Sequence, residues 1–306
     1  MKREGMSFYV EGGPPLLYEK IVHVLRTGKY SARTEEVYVY WIKRYIRFHD
    51  GRHPRSLTEL DVNSFLTHLA VDANLSANTQ AQALHAVLFL YKKVLERPLD
   101  RIQDVVRAKR PIRVPQVLAR EWVAVVFSAM RGVPHLVAML LYGTGMRLNE
   151  GLSVRIKDID FKRGEVIVRD GKGAKDRVTM LPKQLHQPLE RQLLIVRRLR
   201  VEDLARGLGH APLPDALARK YPNAATDWAW QWVFPARTHY VDRRTGMRHR
   251  FHLHETVIQK ALREAALAVN APIHVKPHTL RHSFATHLPR TATISGRCRS
   301  FSATMT

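Results

Sequence analysis

A single cysteine, Cys298, serves the whole chain of 306 residues. It excludes an internal disulfide framework and fits a reducing cytoplasm. No apolar run approaches the roughly 18 residues that a spanning helix needs, so membrane insertion is not expected. The opening residues Met1-Lys-Arg-Glu-Gly5 lack the apolar core of a secretion signal. Tyrosine is absent after Tyr240. Acid is scarce as well: 27 Asp and Glu stand against 50 Lys and Arg, a formal net charge of +23. Such an excess attracts polyanions and releases counterions from nucleic acid, which makes nucleic acid the expected partner. Hydrophobic residues, at 45%, are still enough for a globular core.

The pattern divides the chain. Residues 14–100 read as a helical unit, in which Ile21, Val24 and Leu25 recur at helical spacing. So do Tyr38, Trp41, Tyr45 and Phe48, a stripe best spent on a core. Lys43, Arg44 and Arg47 beside it would then face outward, and Lys43 and Arg44 are candidate DNA contacts. Leu57 to Leu69, opened around Thr58 or Asp61, and Asn78 to Leu95 supply further helices. Residues 101–115 form a basic linker punctuated by Pro111 and Pro115. Its Arg107, Lys109 and Arg110 are suited to lie along a phosphate backbone.

Residues 116–288 read as a second unit, mainly α with a small β component, so the chain is α+β overall. Leu118–Met130 and Val133–Tyr142 look helical. Glu165–Arg169 and Arg177–Leu181 look like strands around the turn Gly171-Lys-Gly-Ala-Lys-Asp176. Leu185–Leu208 resumes helical spacing, Pro212–Tyr240 is irregular, and helices return over His254–Val269 and Thr279–Leu288.

Two arginine motifs carry the chemistry. Arg147 lies in Gly143-Thr-Gly-Met-Arg-Leu-Asn-Glu150, and Arg281 in His278-Thr-Leu-Arg-His-Ser-Phe-Ala-Thr-His287. Cleaving a phosphodiester without metal or water requires charge stabilisation on nonbridging oxygens, a protein nucleophile and a donor to the leaving oxygen. Arginine meets the first requirement, since it stays charged and binds bidentately.

In this order, the first arginine motif, the Gly-Lys-Gly turn and the His-x-x-Arg motif resemble the tyrosine recombinases. The resemblance covers roughly residues 14 to 288. It implies a helical core-binding domain and a catalytic domain closing as a C-shaped clamp around DNA. It implies that Arg147 and Arg281 hold the scissile phosphate, that Lys172 protonates the leaving group, and that His278 assists proton transfer. Lys175 is the rival lysine in the same turn. Glu150 would be a structural partner of Arg147. No metal or nucleotide cofactor is implied, and the working assembly of the family is a homo-tetramer.

A narrower resemblance lies in an insert at about 212–254. Leu213 to Pro222, Trp228-Ala-Trp-Gln-Trp-Val-Phe234 and Arg248-His-Arg-Phe-His-Leu-His254 resemble the insert of integron integrases. That resemblance implies a grip on bases flipped from folded single-stranded cassette hairpins, beside binding of duplex attachment sites. An unpaired base offers a π-face on which tryptophan or histidine stacks without reading sequence. Trp228, Trp230, Trp232, His249, Arg250 and His252 are the candidates. The alternation of the tryptophans equally suits one buried strand face. His249, His252 and His254 lack the cysteines or second ligand pair of a zinc site, so no metal is expected.

The end of the chain departs from the family. Its Leu-Leu-Gly-His motif and its tyrosine are missing, and 289–306 has neither periodicity nor large apolar content, a composition expected to be disordered. The genetic code offers a reason. If reading starts one base before each codon from Thr291-Ala292 onward, permitted codons spell Gly-Tyr-Asp-Ile-Arg-Thr-Val-Gln-Glu-Leu-Leu-Gly-His-Asn-Asp. This restores the missing motif and points to a frameshift near Leu288–Pro289. The expectation is an integron-type recombinase by descent whose truncated copy is inactive. The alternatives are a DNA-binding protein that occupies recombination sites, and a helical transcription regulator.

Overall fold

The computed structural model describes residues 17–99, 116–169, 176–213, 217, 220–242 and 246–288. The expected linker 101–115, the turn lysines Lys172 and Lys175, and the tail 289–306 lie outside the described residues. Two compact units emerge, divided between Arg113 and Val114.

The first unit is a four-helix array: α1 (Leu17–Thr27), α2 (Ala32–Phe48), α3 (Glu59–Ala70) and α4 (Ala77–Phe89). Local chemistry sets the helix starts. The Ser31 and Ser76 hydroxyls accept the amides of Thr34 and Thr79 and so satisfy donors at the first turns of α2 and α4. At α3, the amide and hydroxyl of Thr58 both donate to Asp61, at 2.8 and 2.9 Å. The aromatic stripe of α2 is core as expected. Trp41 and Tyr45 are buried, while Tyr38 and Phe48 pack at the margin. Tyr45 needs a partner for its phenol, and finds the Tyr91 hydroxyl at 2.9 Å; Tyr91 in turn donates to the Pro54 carbonyl. Tyr91 sits in a π-helical turn, Leu90–Val94, that ends α4 and that sequence spacing does not show.

The second unit is built around α6 (Gly132–Thr144), preceded by α5 (Arg120–Ser128) and followed by α7 (Leu148–Leu152). Leu136, Val137, Ala138, Leu140 and Leu141 of α6 are all buried, so apolar residues surround most of its circumference. A three-stranded antiparallel sheet follows in the order β1 (Ile159–Asp160), β2 (Glu165–Val168), β3 (Arg177–Met180). Val166 pairs with Thr179 and Val168 with Arg177. Val166 and Val168 face the core, whereas Val178 and Met180 of β3 are exposed. Helix α8 (His186–Ala205) then leads to a two-stranded hairpin of β4 (Tyr240–Val241) and β5 (Arg248–His249). Helices α9 (Glu255–Ala268) and α10 (Pro277–His287) close the unit. The mainly helical, small-sheet class expected from the sequence holds. Strands β1, β4 and β5 are too short to leave a periodic signal. None of the described helices is long and apolar enough to cross a membrane.

Candidate active site

The first arginine motif is positioned by the end of α6. Gly145 takes φ +65° and terminates the helix, its amide donating to the Leu141 carbonyl. Met146 is fully buried, and Arg147 caps α7 in extended conformation. The Arg147 amide and its Nη1 each donate to Glu150, both at 2.8 Å.

Glu150 is a hub. Its side chain is 9% exposed and also receives Arg177, Nη1 to Oε1 at 3.0 Å and Nη2 to Oε2 at 2.5 Å. Burial alone would raise the Glu150 pKa. The bonds from Arg177, from the Arg147 amide and from the Arg147 guanidinium outweigh it and lower the carboxyl to about 2. Arg281 enters from α10. Its Nη1 donates to the Gly145 carbonyl at 2.6 Å and lies 3.9 Å from Glu150 Oε2. Burial, then the nearby charge of Arg147, lowers the Arg281 pKa, yet a guanidinium remains charged.

His278 sits three residues before Arg281, which places both on one side of α10. It is exposed and, with Arg147 and Glu150, lines a cavity of about 1100 Å³ that also meets Asn149, Arg263 and Lys276. The structure therefore places Arg281 beside the Glu150–Arg147 pair, and His278 on one cavity with Arg147 and Glu150. Arg177 joins this set although it belongs to neither arginine motif. Its signal was available, because β3 alternates and Arg177 shares the inward side with Thr179, whose hydroxyl donates to the Thr144 carbonyl. Three guanidiniums around one carboxylate leave a surplus of positive charge, suited to a bidentate hold on an oxyanion.

The insert distributes its candidates unequally. Trp228 and Trp230 are half-buried and carry cations of the chain itself. The Arg197 guanidinium lies 5.5 Å from the Trp228 ring, and the Lys157 ammonium 2.8 Å from the centre of Trp230. His252 is half-buried, with Nδ1 2.9 Å from the Leu253 carbonyl oxygen, and burial lowers its pKa.

The other three candidates require correction. Trp232 is 6% exposed; Arg155 covers it at 3.7 Å, and Phe251 and His252 pack on it edge-on. A ring so enclosed presents no face to a base. His249 is 9% exposed and packs near Tyr240 and His210. Arg250, also 9% exposed, donates from Nε and Nη2 to Asp203 at 2.5 and 2.7 Å, and from Nη1 to the carbonyls of Ala236 and Arg237. That guanidinium is a buried strut, its donors committed within the protein.

In the first unit, Lys43 and Arg44 are half-buried rather than fully outward, lying over the rings of Tyr18 and Trp41 at 5.1 and 5.4 Å. Arg47 is exposed. Arg107, Lys109 and Arg110 lie outside the described residues. Among the described residues, no group of three metal-capable side chains stands together, including around His249, His252 and His254.

Both units match known families. The family described as "Phage integrase, N-terminal SAM-like domain" matches residues 17–101, and "Phage integrase family" matches residues 128–293. An "Integrase/recombinase" of Escherichia coli is 44% identical over 281 residues, covering 90% of this chain and 83% of that protein. Tyrosine recombinase XerA of Thermococcus kodakarensis is 30% identical over 263 residues, covering 84% of this chain and 76% of XerA. Among solved structures, the Tn1549 transposon integrase in complex with circular intermediate DNA superposes with a TM-score of 0.57 at 16% identity, covering 93% of this chain and 90% of that one. The XerH recombinase bound to palindromic difH substrate gives 0.55 at 17% identity, covering 89% and 73%. These two show a shared fold, while the family matches and the sequence relatives carry the assignment: the chain belongs to the phage integrase family of tyrosine recombinases.

Proposed function

We propose that this chain is a site-specific DNA recombinase of the integron integrase type by descent, with a phosphate clamp intact and its nucleophile lost to a shifted reading frame. What supports the first half is that motifs 136 residues apart converge on Glu150: Arg281 bonds the Gly145 carbonyl and lies 3.9 Å from the carboxylate that Arg147 holds, and His278 lines a cavity with Arg147 and Glu150. In this reading Arg147 and Arg281 hold the scissile phosphate and stabilise charge on its nonbridging oxygens. His278 assists proton transfer, and Lys172, with Lys175 as rival, protonates the leaving 5′ oxygen. A complete enzyme would join its tyrosine to the 3′ phosphate, exchange strands and religate through the free 5′ hydroxyl, acting as a tetramer in the cytoplasm.

The second half rests on residues 289–306, which contain no tyrosine and whose codons can spell the family's continuation in another frame. With its nucleophile lost, such a chain would occupy recombination sites rather than cut them. Insert residues Trp228, Trp230 and His252, each half-buried, remain the candidates for holding flipped bases of a cassette hairpin. Fluorescence anisotropy on a folded single-stranded hairpin and on duplex of equal length tests the type: the hairpin is expected to bind more tightly. Equal affinity would refute the integron reading while leaving the family untouched. The coding sequence across codons 285 to 306 tests the frame: codons that do not spell the shifted peptide would refute it.

A further inference from the structure

The recombinase reading gives roles to Arg147 and Arg281 but none to Arg177. Glu150 has two oxygens and about four acceptor positions. Oε1 takes Arg147 Nη1 and Arg177 Nη1; Oε2 takes the Arg147 amide and Arg177 Nη2. Four donors fill the carboxylate, half of them from Arg177. Arg281 Nη1 stands just outside, 3.9 Å away, and donates to the Gly145 carbonyl instead.

We propose that Arg177 is a positioning residue of the phosphate clamp: by saturating Glu150 it prevents that carboxylate from capturing Arg281, and it keeps the set electropositive. The inference rests on the recombinase reading of Arg147 and Arg281. With Arg177 present, three guanidiniums share one carboxylate, leaving +2; without it the set falls to +1. Two acceptor positions on Glu150 then open, and beyond Arg147, already bonded there, the next guanidinium is Arg281, 3.9 Å from Oε2. A guanidinium drawn onto a buried carboxylate gives up donors that an incoming phosphate would use. Charge and geometry therefore act in the same direction.

Inorganic phosphate is the probe, because it carries the group the clamp would hold without any base sequence, and it is followed through the Nε–H signals of the arginine side chains by NMR on the full chain. In the wild type, phosphate should shift the Arg147 and Arg281 signals saturably. Arg177→Met should weaken phosphate binding by at least about tenfold. Combining it with Glu150→Gln, which removes the capturing charge, should restore binding to within about threefold of wild type. A merely structural Arg177 predicts no such recovery. Where Arg177→Met does not fold, Arg177→Lys serves, since an ammonium keeps the charge but cannot fill both oxygens, and weakening is expected there too. Wild-type affinity in Arg177→Met, full affinity in Arg177→Lys, or no recovery in the double variant would overturn the proposal. Absence of any phosphate-dependent shift in the wild type would overturn the clamp itself, a distinct result.

Discussion

The guanidinium of Arg281 donates to the carbonyl of Gly145 at 2.6 Å, joining two motifs that lie 136 residues apart. The bond requires Gly145 as a glycine. Its φ of +65° is a left-handed conformation, and a Cβ there would run into the Phe284 ring of α10. Gly145→Ala is expected to cost about 1–3 kcal/mol, combining backbone strain with displacement of α10. Thermal denaturation should show the lower midpoint, and the phosphate-dependent shift of the Arg281 signal should weaken with it.

Glu150 gives the site a stability that depends on pH. Burial opposes its ionisation, but the arginine bonds prevail, so its folded pKa of about 2 lies below the ordinary 4.5. A depressed carboxyl contributes stability that is complete above about pH 4.5 and lost as the pH falls towards 2, here about 3 kcal/mol in all. Urea midpoints of the wild type and of Glu150→Gln should therefore differ most above pH 5 and converge near pH 2.

Arg250 and Asp203 form a buried pair, bonded at 2.5 and 2.7 Å. Arg250→Met leaves Asp203 buried without that partner, an expected loss of about 3–5 kcal/mol. Replacing both, Asp203→Leu with Arg250→Met, removes the stranded charge and should cost markedly less. Chemical denaturation of the single and double variants checks this.

The insert tryptophans should separate by function. Trp232→Ala removes an enclosed ring and is expected to cost about 3–5 kcal/mol of stability. Its folded fraction should bind single-stranded DNA much as wild type does. Trp228→Ala should leave the melting temperature nearly unchanged and weaken hairpin binding by about 1–3 kcal/mol. Anisotropy and thermal melts on the same preparations read both effects.

What the sequence made legible was mostly local. The α2 stripe, the pairing of β2 with β3 and the helices around Arg147 and Arg281 follow from spacing of three, four or two residues. What it concealed was long-range. Arg250 looks like a DNA contact in so basic a chain, because its partner Asp203 is 47 residues away. Arg177 looks like the first residue of a strand until Glu150, 27 residues earlier, is seen to face it. The tryptophans read equally well as core or stacking surface, and the structure divides them: Trp232 inside, Trp228 and Trp230 at the margin under the chain's own cations.

A phosphate clamp whose nucleophile is lost, as proposed, would bind recombination DNA without joining to it. Incubating the chain with a nicked suicide recombination substrate and running the products on native and denaturing gels separates binding from covalent joining. A saturable complex is expected on the native gel, lost in Arg147→Ala and Arg281→Ala, with no protein–DNA adduct surviving denaturation. A covalent adduct on the denaturing gel would contradict it.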